Sequence, residues 1–194
     1  MNSSTQTLPG DYVQSGEINL KKNKRLAIFL NIAAFFVFML SLVLLSFFVR
    51  VVRPDTQNTS GNITLGTMLI MVGLTVIVLI THELIHGFFF WMFTRSRPVF
   101  ALHLLYAYAG APTWYIPSRL YAFVALSPLV IIGVVGLFLM LLVPVSWILM
   151  ITFLVALNTG GAIGDLYVFT RLLKGSPSSL ANDTGDVVTF FERP

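Results

Sequence analysis

The sequence predicts an all-α integral membrane protein with four transmembrane helices and a short hairpin or re-entrant segment between the second and third. Three observations carry that prediction. The 194 residues are 56% hydrophobic and only 10% charged, where a soluble domain carries about 25% charged residues. The apolar residues fall into four long runs, and the basic residues gather at the ends of those runs, as orientation in a bilayer requires.

Residues 1–20 are polar, rich in Ser, Thr, Asn and Gly, and lack a sustained period, so they read as a flexible leader. Lys21, Lys22, Lys24 and Arg25 then introduce an unbroken apolar run over about 26–49. It exceeds the apolar core of a cleavable signal, about 7 to 15 residues, and lacks a small-residue cleavage site. It is the first span. Arg50, Arg53 and Pro54 end it.

The second span covers about 63–93 and is longer than a crossing needs, which implies tilt or an extension. Arg95, Arg97 and Pro98 stop it, and the aromatic stretch that follows, with Gly110-Ala111-Pro112 and Pro117, is the expected hairpin. The third span, about 120–143, contains Pro128 and is expected to kink there. After a turn at Pro144 comes the fourth, about 148–173, carrying Asn158, Gly160, Gly161, Gly164 and Asp165. Residues 21–175 thus form one membrane domain, and 176–194 a polar tail. Ten Lys and Arg flank one side of these spans and only Arg50 and Arg53 the other, which places both termini in the cytoplasm. The net charge of +4 is explained by this orientation, and nucleic acid is not an expected partner.

The chemistry concentrates in Thr81-His82-Glu83-Leu84-Ile85-His86-Gly87. Four residues is just over one helical turn, so both imidazoles leave one face and reach a single ion, with the Glu83 carboxylate beside them. This H-E-x-x-H pattern supplies two neutral ligands, an open position for water, and a general base for that water. Ionisable groups in hydrocarbon cost about 2.5 to 3.5 kcal/mol each, so their presence marks a functional site by default. The chain has no cysteine, so thiolate ligands and disulfides are excluded and the metal must use imidazole and carboxylate.

A catalytic zinc takes three protein ligands, and this motif supplies two. The third histidine of a metzincin is absent, since Met92 stands six residues after His86. Depth favours Asp165: at 1.5 Å per residue His86 and His82 lie about 14 to 20 Å from the Arg95 end of their helix, and Asp165 about 9 to 14 Å from Arg171 and Lys174. His103, Asp183 and Asp186 stay open as alternatives. Gly160, Gly161 and Gly164 would let the fourth helix approach the second closely. Asn158, almost two turns before Asp165, shares its face, where its amide serves either a water or substrate carbonyl or an interhelical hydrogen bond.

The stretch His82–Phe90, the Tyr-Ala-Gly-Ala-Pro-x-Trp-Tyr-Ile-Pro segment at 108–117, Leu126-Ser127-Pro128 and Asn158 to Tyr167 resemble a bacterial family of small integral membrane proteins described as putative zincin peptidases. The resemblance covers roughly residues 63–190 and implies a bacterial cell membrane. More distantly, the chain is similar to site-two proteases, which pair an intramembrane HExxH with a later Asn and Asp. Those carry Asn-x-x-Pro before Leu-Asp-Gly, whereas here Asn158-Thr159-Gly160-Gly161 precedes Gly164-Asp165-Leu166.

The expected activity is zinc-dependent hydrolysis of a membrane protein or peptide substrate within the lipid bilayer. His82, His86 and Asp165 hold Zn²⁺, and Glu83 is the general base. The alternative is a catalytically inactive metal-binding protein that binds or retains other membrane proteins. A metal transporter would need polar ligands along a path, and the other spans offer none.

Overall fold

A computed structural model of the chain describes residues 3–58, 64–102 and 107–194. Among these, helix α1 spans Lys24–Val52, α2 Leu65–Thr94, α3 Ser118–Leu142, α4 Val145–Gly161 and α5 Ile163–Lys174. The strands are β1 Val13–Asn19, β2 Val99–Leu102, β3 Ala107–Gly110, β4 Ile116–Pro117, β5 Leu180–Asp183 and β6 Val187–Glu192. Three helices are long and apolar enough to cross a membrane, and α4 with α5 makes a fourth if the pair is one bent span. These features are compatible with a multi-pass membrane protein.

Helix ends follow local chemistry. Asn23 accepts the Leu26 N–H at 3.0 Å and caps α1, while Thr64 and Thr67 exchange side-chain and backbone bonds in a capping box at the start of α2. Arg95 ends α2 in a left-handed conformation, φ 56°. Beyond α1, Arg53 donates to the carbonyls of Met140, Leu141 and Val143, so its guanidinium satisfies the free end of α3.

The helix faces without a neighbour are apolar along their length, with Phe29, Phe36 and Phe47 exposed on α1 and Leu65, Leu69 and Val72 on α2. Lipid contact accounts for such a surface, which water does not favour. Between helices the contacts run through glycine. A Cβ on Gly160 would stand 2.8 Å from the Ala34 carbonyl and 2.9 Å from Phe38 Cβ, so α1 and α4 touch nearly backbone to backbone. Gly136 gives Val155 the same room between α3 and α4. The sequence expectation put this close approach against α2, but Gly160 faces α1, and Gly161 and Gly164 have nothing within 4 Å of an added Cβ. Gly160→Ala is therefore expected to destabilise the protein by about 1–3 kcal/mol through overpacking. Thermal melting in detergent checks this, with Gly161→Ala as the control that leaves the midpoint in place.

The architecture is not purely helical. A four-stranded sheet of order β1-β6-β5-β4, antiparallel throughout, joins the two ends of the chain. The segment expected to be a flexible leader supplies β1, and the polar tail supplies β5 and β6. Before β1, Thr5 also pairs with Tyr115 through two backbone bonds of 3.0 and 2.8 Å. The physical reason lies in distance along the chain: Val13 pairs with Glu192, and such pairing leaves no period in either segment alone. Since β1 precedes α1 and β6 follows α5, both chain ends lie at one end of the helix bundle.

The core lies where the sheet meets the helices, around Phe90, Ile116, Tyr121, Val124, Ala181 and Phe190. The hairpin expected between the second and third spans is present as β2 and β3, with Val99 opposite Gly110 and Leu102 opposite Ala107. It sits on α2 because Gly87 leaves space: a Cβ there would meet Phe100 Cζ at 2.2 Å. That contact brings β3 beside the HELIH turn.

Candidate metal centre

His82 and His86 leave the same face of α2, one turn apart, with ring centroids 4.9 Å from each other. The fourth apolar run breaks at Ala162, where α4 and α5 bend by 42°. The break puts Asp165 in the first turn of α5, facing both rings. Asp165 Oδ2 is 3.2 Å from His82 Nε2, and Oδ1 is 3.5 Å from His86 Nε2. One donor atom from each of the three residues lies within 4.8 Å of the others.

The opposite edge of each ring is already engaged. His86 Nδ1 is 3.0 Å from the Val124 carbonyl, which only accepts, so this nitrogen carries the proton. Asn158 Nδ2 donates to the Pro128 carbonyl at 3.4 Å. That bond turns Oδ1 towards His82 Nδ1, 2.9 Å away, and makes this nitrogen a donor too. In neutral imidazoles, both Nε2 atoms then present lone pairs towards a carboxylate. Three acceptors converge with no donor among them, an arrangement that a cation resolves.

The spacing fits as well. Ligand atoms about 2.0–2.1 Å from a tetrahedral zinc lie about 3.3 Å from one another, and each imidazole has one carboxylate oxygen at such a distance, Oδ2 at 3.2 Å for His82 and Oδ1 at 3.5 Å for His86. Two nitrogens and one oxygen leave the fourth position free for water or substrate.

A family described as putative zincin peptidases matches residues 75–180, from within α2 to the first residue of β5. The chain belongs to this family. No curated protein and no solved structure matches it. Glu83 borders a cavity of ≈ 200 Å³ together with His86, Ala109, Tyr121, Asp165 and Asp183, and its carboxylate lies towards the backbone N–H of Ala109 from β3. Ile18 of β1 and Leu20 just after it line part of the same cavity.

The remaining residues expected at the site sort as follows. Asn158 is buried and makes the interhelical bonds, one with His82 and one to the Pro128 carbonyl. Asp183 borders the cavity, but both its oxygens are engaged: Tyr121 donates its hydroxyl to Oδ2 at 2.5 Å and Gly185 its N–H to Oδ1 at 2.6 Å. Asp186 pairs with Lys21 at 2.7 Å. Neither belongs to the converging set, and His103 lies outside the described residues.

Tyr121 was not legible as a site residue. The one signal is its hydroxyl, which had to find a partner if its apolar run was buried. Burial raises the Asp183 carboxyl to about 6, against the opposing effect of its bonds from Tyr121 and Gly185. A carboxyl whose folded pKa is raised gives its full stability below the unfolded value and loses it as pH climbs through the folded one. Metal-free wild type should therefore lose stability relative to Asp183→Asn between about pH 4 and 6, by up to about 3 kcal/mol. Parallel melting curves for the two proteins across that range would exclude the burial cost.

Proposed function

We propose that this protein is an intramembrane zinc metallopeptidase that hydrolyses peptide bonds of membrane-associated substrates. The observation that carries the reading is the meeting of donor atoms of His82, His86 and Asp165 from α2 and α5, with His86 and Asp165 lining the same cavity as Glu83. His82, His86 and Asp165 hold Zn²⁺. When bound, the ion supplies Lewis acidity for the scissile carbonyl and acidifies a water molecule.

The remaining work belongs to the chain. Glu83 takes the proton of the attacking water and delivers it to the departing amine, so that one carboxylate serves first as base and then as acid. Asn158 and the Val124 carbonyl keep the rings from turning. Strand β3 has β2 on one side, and on the other its Ala109 N–H faces Glu83. An extended substrate laid along that edge passes the general base, which supports binding by strand addition. A helical substrate hides its peptide bonds, so it must unwind before reaching this point.

The pairing of β1 with β6 favours an even number of crossings, with α4 and α5 as one bent span, and the ten-to-two distribution of Lys and Arg favours a cytoplasmic sheet. Water reaches the site from that end, where the polar side chains of Asp183 and Asp186 line the cavity.

The test uses the full chain reconstituted in liposomes with a panel of single-span peptides, and mass spectrometry of the products. Cleavage that stops on zinc chelation and returns with added Zn²⁺ is the expected result. Intact peptides from metal-loaded protein, together with metal-dependent capture of those peptides, would favour a non-catalytic binding protein.

A further inference from the structure

Pro128 lies inside α3, where proline is costly because it lacks the N–H that the carbonyl four residues earlier requires. That carbonyl belongs to Val124. Buried and released from the helix, it must be satisfied by other donors. It accepts the Ser127 hydroxyl at 2.9 Å and the His86 Nδ1 proton at 3.0 Å. The carbonyl of Pro128 itself receives Asn158 Nδ2 at 3.4 Å, and the Oδ1 so oriented faces His82 Nδ1 at 2.9 Å. Each imidazole is therefore tied to the same interruption of α3, one directly and one through Asn158.

We propose that Pro128 is a positioning residue of the metal centre. By withholding an N–H from Val124 and anchoring Asn158, it sets both histidines as Nδ1–H tautomers with Nε2 turned to Asp165. The inference rests on the metal-binding reading above and extends it from the ligands to the helix that aims them. A kink alone accounts for the proline, but not for the carbonyl at residue 124 meeting His86 and the carbonyl at residue 128 meeting Asn158, which holds His82. Partners behind metal-bound histidines ordinarily change metal affinity by about 10- to 100-fold when removed.

Pro128→Ala restores an N–H at position 128, which competes with His86 for the Val124 carbonyl. The full chain is purified in detergent, and its Zn²⁺ dissociation constant is read by competition with a chromophoric chelator. The visible spectrum of the Co²⁺-substituted protein is recorded alongside. Pro128→Ala is expected to bind Zn²⁺ about 10- to 100-fold more weakly and to shift the cobalt bands. Ser127→Ala, which leaves the Val124 carbonyl to His86 alone, should stay near wild type. Asn158→Ala should lose affinity, and Asn158→Asp, which keeps an acceptor for His82 but has no donor for the Pro128 carbonyl, should not regain it.

Because Pro128→Ala risks misfolding, the tautomers are also read in the Zn²⁺-loaded wild type from ¹⁵N histidine spectra. Protonated Nδ1 and metal-bound Nε2 at both His82 and His86 are expected. Bonding through Nδ1 at either ring overturns the proposal, as does wild-type affinity with unchanged cobalt bands in Pro128→Ala. If wild type binds no metal and Asp165→Ala behaves identically, the metal-centre reading itself fails, and the positioning role with it.

Discussion

Glu83→Gln is expected to lower peptide hydrolysis by about 10²- to 10⁴-fold while leaving the metal in place. The amide keeps the size of the carboxylate and its acceptor oxygen towards the Ala109 N–H, so the cavity and β3 retain their places. What disappears is the ability to take a proton. Glu83 is not among the three converging donors, so metal content should be unchanged. The measurement pairs metal analysis with initial rates on a cleaved peptide. Wild-type rates in the variant would remove Glu83 from the mechanism, and metal loss with the rate would recast it as part of the binding site.

The second large effect belongs to Asp165. Asp165→Ala leaves two imidazoles and removes the only anionic donor of the set, so metal content after dialysis should fall close to zero. His86→Ala should do the same from the other side of the site. In the metal-free protein, however, Asp165→Ala removes a carboxylate that faces two nitrogen lone pairs 3.2 and 3.5 Å away, so it should cost little stability. The signature is therefore a difference in response. Zinc at a hundred times its dissociation constant should stabilise wild type by about 2.7 kcal/mol and the variant not at all. A variant whose melting point rises with zinc as wild type does would show that the ion binds elsewhere.

Two further partners of the rings could not be anticipated from residue types. The Val124 carbonyl has no side chain to announce it, and it becomes available only because Pro128 stands four residues later. The role of Asn158 was one of two alternatives on the same helix face. The interhelical bond it makes depends on the position of α3, which offers the Pro128 carbonyl to the amide.

What the sequence by itself determined is the set of features that repeat within a few residues. The four-residue spacing of His82 and His86, the lengths of the apolar runs, the basic residues that end them and the depth of Asp165 are all read along one helix at a time. A helix closes its hydrogen bonds locally, so its faces follow from spacing alone. The tertiary structure alone decided the sheet that joins the two chain ends, the neighbour that Gly160 faces, and the bonds that engage Asp183. A strand pairs with a segment far away in the chain, as Val13 does with Glu192. Asp183 likewise takes its partner from α3, through Tyr121. Such partners are chosen by packing in three dimensions, because the energy that selects them is shared between segments that carry no mark of one another.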